Sequence, residues 1–154
     1  MSSREKSIGL VGVGRMGANM ARNLKDKGYR LSCVNDVVGE TAAALAEELG
    51  CAHAETLTEV TDSSDIILTV VTNDTAMETI FFGEEENLFN NAAGKLFINC
   101  ATLSPDMHIR LEQSAARVGA ETLEGCMASS ITQARKGTLY LMIGGKREIF
   151  ESVK

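Results

Sequence analysis

Six early residues are the best placed for chemistry: Gly12-Val13-Gly14-Arg15-Met16-Gly17, a G-x-G-x-x-G. They follow the apolar run Ile8–Val11 and open a segment, Arg15–Lys27, in which Met16, Met20, Ala21 and Leu24 recur at helical spacing. Strand, glycine turn and helix in that order form a cradle for a pyrophosphate. Gly12 permits a sharp exit from the strand. Gly14 has no side chain, so a diphosphate can approach the backbone. Gly17 lets the helix pack against the strand. The free N–H groups of the first turn, at the positive end of the helix dipole, would then face the phosphates.

A dinucleotide also needs a partner for its adenosine ribose, about 20 residues on at the end of the second strand. Asp36 stands there, after Leu31–Val34 and Asn35. Its carboxylate can accept hydrogen bonds from the 2′- and 3′-hydroxyls and would repel a 2′-phosphate. No Arg adjoins it. NAD is therefore expected over NADP, with NADP as the alternative cofactor and a plain turn or cap as the alternative role for Asp36.

The other reactive side chains are sparse. Cys33, Cys51, Cys100 and Cys126 contain no C-x-x-C pair, and His53 and His108 are the only histidines. Nothing in this spacing suggests a zinc site. The expectation is four reduced thiols packed in the core and no metal.

The elements that must hold the glycine turn alternate. Strands are predicted at Ile8–Val11, Leu31–Val34, Cys51–His53, Asp65–Val71, Leu96–Cys100, Glu121–Leu123 and Thr138–Ile143. Helices are predicted at Arg15–Lys27, Glu40–Leu49, Thr75–Phe82 and Ser104–Val118, the last with Pro105 in its first turn. Alternation of this kind implies right-handed crossovers. The predicted fold is α/β: a Rossmann-type, doubly wound, mostly parallel sheet with helices on both faces, formed as one domain by residues 1–154. Lys146–Lys154 reads as the opening of one more helix, so the chain is expected to be part of something longer.

Composition narrows the partners. The 154 residues are 44% hydrophobic and 23% charged, with 15 Lys and Arg against 21 Asp and Glu, a net charge of −6. That balance suits a globular domain and offers no electrostatic footprint for nucleic acid. No apolar run approaches the roughly 18 residues of a membrane span. The MSSREK start lacks the apolar core of a signal peptide, so a cytoplasmic location is expected.

From Ile8 the chain reads IGLVGVGRMGANMARNLKDKGYRL. It resembles the β-hydroxyacid dehydrogenase family, which includes 3-hydroxyisobutyrate dehydrogenase and 6-phosphogluconate dehydrogenase and begins like IGFIGLGxMGxxMAxNLxxxGY. The resemblance implies hydride transfer between a nicotinamide cofactor and a small hydroxy acid or aldehyde, in an enzyme that forms homo-oligomers. NAD-preferring relatives carry Asp at the position of Asn35, and NADP-preferring ones carry Asn then Arg. Here Asn35 is followed by Asp36, a mixed signature without the phosphate-binding Arg.

The family's MLPxS loop corresponds to Val70-Val71-Thr72-Asn73, so Val71, Thr72 and Asn73 are expected to border the cofactor ribose. Its DxSTxxP block corresponds to Asn99–Pro105, which places Thr102 beside the nicotinamide ribose. Its DAPVSGG block, where Ser-Gly-Gly holds a substrate carboxylate, corresponds to Glu124-Gly125-Cys126-Met127-Ala128-Ser129-Ser130. Ala128, Ser129 and Ser130 are thus the expected substrate-binding positions, with the hydroxyls moved along by one residue. The family's catalytic Lys lies on a long helix beyond Lys154, as does its all-α domain. No residue of this chain is assigned a catalytic role, and Lys136 and Lys146 are expected to be solvated. A non-catalytic dinucleotide-binding module is the alternative. A methyltransferase using S-adenosylmethionine shares the sheet type but lacks a reason for Gly17 and the long family match.

Overall fold

A computed structural model describes residues 2–154. Strand β1 (Ser7–Val11) is buried along its whole length. Its neighbours are β2 (Arg30–Asn35) on one side and β4 (Ile66–Thr69) on the other, both parallel to it. The short β3 (Ala52–His53), β5 (Leu96–Asn99), β6 (Glu121–Met127) and β7 (Leu141–Gly145) complete a seven-stranded sheet in the order β3-β2-β1-β4-β5-β6-β7. The alternating pattern therefore does yield a doubly wound α/β sheet.

The central strands are apolar at nearly every position because both faces are covered. Leu10, Ile66 and Leu68 point to the side of α1 (Arg15–Asp26) and α2 (Gly39–Leu49). Val11, Ile67 and Phe97 point to the opposite side, with α3 (Leu57–Ser63), α4 (Asp74–Phe82) and α5 (Pro105–Arg117). There Phe97 meets Phe81 and Phe89 edge-on, with ring centroids 5.2 and 5.8 Å away.

Several elements differ from expectation. Helix α3 has no apolar stripe strong enough to announce it. It is held instead by a capping box: Thr56 Oγ1 accepts from the Glu59 N–H at 3.1 Å, and Glu59 reaches back to the Thr56 N–H. The expected strand Asp65–Val71 is only four residues long, since Val70 and Val71 leave the sheet to line a cleft. Strand β6 runs on to Met127 because β7 pairs with it along five residues, antiparallel rather than parallel. The short α6 (Ile131–Lys136) separates the two, so β7 begins at Leu141 and not at Thr138. The terminal segment forms α7 (Arg147–Glu151).

One carboxylate ties β1 to β4 where both begin. Asp65 Oδ2 accepts from the Ser7 N–H at 2.8 Å and the Ser7 hydroxyl at 2.9 Å. These bonds hold the Asp65 carboxyl below the usual range, the backbone bond most of all. A group whose pKa folding lowers stabilises the fold above its unfolded pKa and loses that contribution as pH falls through the folded value. Stability should therefore drop below the ordinary Asp value of about 3.9. Asp65→Asn should flatten that acid limb, read as unfolding midpoint against pH. An unchanged limb would remove Asp65 from the account.

Candidate functional site

In an open α/β sheet, ligands collect where crossovers diverge, beyond the carboxyl ends of the strands. Here that point lies between β1 and β4, and the glycine turn occupies it. Gly12 has φ +90°, and a Cβ on it would fall 2.3 Å from the Val70 carbonyl oxygen. A Cβ on Gly17 would fall 2.0 Å from the Gly12 carbonyl oxygen, so helix and turn touch backbone to backbone. A Cβ on Gly14 would meet nothing within 4 Å. Two glycines thus close the turn, and the third opens it to the outside.

Helices α3, α4 and α5 have side-chain N-caps: Thr56, Asn73 and Ser104. Helix α1 has none, and no acidic residue stands in its first turn. Its free N–H groups, in Arg15, Met16 and Gly17, are left for an anion. Beside them Asp36 is fixed by the backbone. Its Oδ2 accepts from the Val13 N–H at 2.8 Å and its Oδ1 from the Val38 N–H at 2.9 Å. Asn35 turns the other way, donating to the Ala54 carbonyl at 3.0 Å.

Two hollows, about 590 and 390 Å³, share Gly14 and Val70–Thr72. The larger carries Asn35, Asp36 and Val37 at one end and is lined by Leu57, Ala76, Thr79, Ile80 and Glu86. These last five were not singled out in the sequence, since three of them belong to α4 and one to α3. Glu86 accepts from the Leu57 N–H at 3.0 Å, which closes that end. The smaller hollow is lined by Arg15, Met16, Gly17, Thr72, Ala101, Thr102 and Met127. Gly12, Gly14, Arg15, Met16, Gly17, Asn35, Asp36, Val71, Thr72 and Thr102 are therefore gathered around one cleft, whereas the Val13 side chain is buried in the core and only its N–H reaches Asp36. Asn73 is next to it, but its Oδ1 is taken by the Ala76 N–H at 2.9 Å.

A further positioning residue escaped the sequence reading. Asp74 accepts from the Ser104 N–H at 3.0 Å and hydroxyl at 2.6 Å, which holds its carboxyl below the usual range. The bridge fastens the loop bearing Thr72 to the loop bearing Thr102.

The Ala128–Ser130 segment leads from β6 into α6. The Ser129 hydroxyl accepts from the Tyr140 N–H at 2.8 Å, and the Ser130 N–H donates to Gln133 Oε1 at 2.6 Å. Both serines thus shape the turn. Lys136 is exposed, and Lys146 is paired with Glu121 at 3.0 Å.

The thiols depart from expectation. All four cysteines are free, but only Cys33 and Cys100 are buried; Cys51 and Cys126 are half-buried. Burial pushes the Cys100 thiol up to about 12. His108 and Cys126, far apart in the sequence, come together with Glu124. Separately, an apolar groove of about 380 Å³ runs between α1 and β7, lined by Met20, Leu24, Leu139, Leu141, Ile143 and Phe150. No helix of the described residues is long and apolar enough to cross a membrane.

A doubly wound sheet, a glycine turn with one open glycine and an uncapped helix over a split cleft define a dinucleotide-binding domain. Comparison with known proteins agrees. Residues 7–154 match the family described as the NAD binding domain of 6-phosphogluconate dehydrogenase, and the chain belongs to that family. It is 33% identical over 147 residues to the 2-hydroxy-3-oxopropionate reductase of Escherichia coli K12, covering 96% of this chain and 49% of that one. It is 30% identical over 149 residues to the mitochondrial 3-hydroxyisobutyrate dehydrogenase of Drosophila melanogaster, covering 97% and 45%. The fold matches that of Mycobacterium tuberculosis 3-hydroxyisobutyrate dehydrogenase with a TM-score of 0.84 at 24% identity, over 98% of this chain and 49% of that one. The chain spans about half the length of these relatives. The resemblance to the β-hydroxyacid dehydrogenases is thereby borne out.

Proposed function

We propose that this chain is the cofactor-binding half of a cytoplasmic, homo-oligomeric, NAD-dependent dehydrogenase or reductase acting on a small 3-hydroxy acid or semialdehyde. The observation that carries the reading is the open Gly14 under the uncapped start of α1, with Asp36 fixed alongside. The N–H groups of Arg15, Met16 and Gly17 hold the pyrophosphate. Asp36 receives the adenosine ribose, and the adenine lies between Leu57 and Ile80. Val71, Thr72 and Thr102 line the path to the nicotinamide, which Met127 backs. When bound, that ring supplies or accepts the hydride.

The Ala128–Ser130 turn borders the substrate through its backbone. Its departure from Ser-Gly-Gly sets this chain's substrate apart from those of its relatives. The proton donor, a Lys, belongs to the half that follows in proteins of the relatives' length, as does the second wall of the cleft. That half covers the apolar groove. The 154 residues alone therefore bind cofactor without turnover, since both acid–base help and positioning are missing. Ala128 and the two turn-shaping serines also suit a second reading, a dinucleotide-binding module without catalysis.

Calorimetric titration of NADH and NADPH tests the first reading. A 2′-phosphate would bring its charge against the fixed Asp36 carboxylate. NADH should bind about tenfold more tightly, roughly 1.4 kcal/mol, and Asp36→Asn should narrow the gap. Equal or tighter binding of NADPH to the unchanged chain would sink the preference. Addition of glyoxylate or succinic semialdehyde should leave NADH unoxidised, and oxidation by these residues alone would overturn the assignment of the proton donor elsewhere. A protein extended by the second half separates the two readings, since only the enzyme turns over.

A further inference from the structure

Glu124 and Cys126 are two residues apart on β6, so their side chains share one face. Helix α5 packs on that face and brings His108 between them. His108 Nδ1 lies 3.7 Å from Glu124 Oε1, and His108 Nε2 lies 3.9 Å from Cys126 Sγ. One ligating atom from each of the three lies within 4.8 Å of the other two.

We propose that His108, Glu124 and Cys126 form a binding site for a divalent transition metal of the zinc class, distinct from the dinucleotide cleft. Tetrahedral zinc, with bonds of about 2.0–2.3 Å, separates its ligand atoms by roughly 3.3–3.8 Å. The contacts at 3.7 and 3.9 Å engage different ring nitrogens, so a shared ion requires Glu124 or Cys126 to turn its donor onto the other's nitrogen, from a starting point within 4.8 Å. The imidazole is 7% exposed, and its side-chain hydrogen bond among the described residues is the long contact with the Cys126 sulfur, so no strong partner competes with an ion for it.

The donor set selects the ion. A nitrogen, a thiolate and a carboxylate together suit zinc and its neighbours, whereas magnesium and calcium call for oxygen alone. A neutral imidazole with two anions balances a 2+ charge. A hollow of about 50 Å³ beside Glu124 and His108 leaves room for a fourth ligand, and Glu112, four residues on from His108 along α5, lines it. A water there is equally well placed.

The site belongs to this chain in particular, since Cys126 stands where the DAPVSGG block of the resembling family has Pro. Its place has a structural consequence. Cys126 Sγ lies 3.8 Å from the Ala101 carbonyl oxygen, in the loop that carries Thr102. A metal on Cys126 and His108 would clamp β6 to that loop and to α5, steadying the smaller hollow of the cleft.

Cobalt(II) gives a direct readout, because thiolate ligation produces a near-ultraviolet charge-transfer band. Metal-stripped, reduced protein titrated with cobalt should develop the band at one ion per chain, and zinc should displace it. Cys126→Ser, at a half-buried position, should abolish the band, while Cys51→Ser should keep it. His108→Gln and Glu124→Gln should weaken zinc binding by roughly tenfold or more, measured against a chromophoric chelator. Circular dichroism of each variant confirms its fold. No band in the unchanged chain, or an equal band in folded Cys126→Ser, overturns the site.

Discussion

Gly14→Val abolishes dinucleotide binding and leaves the protein folded. Gly14 is exposed, and a Cβ built on it finds no heavy atom within 4 Å. Its backbone, at φ −64°, is open to any residue. The isopropyl group therefore costs the fold little. It projects into the cleft over the free N–H groups of α1, where the proposed pyrophosphate would sit. The expected loss is at least about 100-fold in affinity for NADH, close to 2.7 kcal/mol. Circular dichroism and thermal unfolding should match the unchanged chain while calorimetry shows no saturable binding. A folded variant that binds normally would move the cofactor away from this turn.

Gly17→Ala has the opposite signature. Its added methyl would lie 2.0 Å from the Gly12 carbonyl oxygen. The obstacle is backbone at the sharpest point of the turn, so no side chain can swing aside. Either α1 shifts off β1 or the turn distorts. Overpacking typically costs about 1–3 kcal/mol, and a rigid backbone obstacle belongs at the upper end. For a domain of this size that corresponds to a fall in unfolding midpoint of roughly 6–12 °C. A midpoint within a degree or two of the parent would show that α1 and the turn are not in rigid contact. Methyl at Gly17 and isopropyl at Gly14 thus separate the two roles of one motif: the first injures the fold, the second the binding.

The geometry of both glycines, one open and one in backbone contact, was readable beforehand because it follows from local backbone conformation. The long apolar runs of β1, β4 and β5 were readable too, since a strand covered on both faces leaves few polar positions. Most of what escaped depends on distance in space. Helix α3 is the exception, since its Thr56–Glu59 capping box is local and stood in the sequence beside a weak periodicity. Leu57, Thr79, Ile80 and Glu86 line the cleft only because α3 and α4 return to it. Asp74 matters through Ser104, thirty residues away. The meeting of His108 with Cys126 depends on how α5 lies over β6, and no spacing rule contains that. Asp36 is intermediate: its position announced it, but not that Val13 and Val38 would hold both its oxygens.

The strand order has a consequence for how the protein is made. β2 pairs with β1 on one side and β3 on the other, and all three are complete by His53. A chain emerging from the ribosome N-terminus first can assemble this half, with α1 and α2 against it, before the rest is synthesised. The glycine turn is present in that early piece, but the crevice is not. Its opposite wall starts with Val70, just past β4, and arrives only when Ile66–Thr69 docks along β1. Nucleotide present during synthesis therefore meets only one wall of its proposed site. By mass action it would favour the joined sheet and hold the late β4 seam closed.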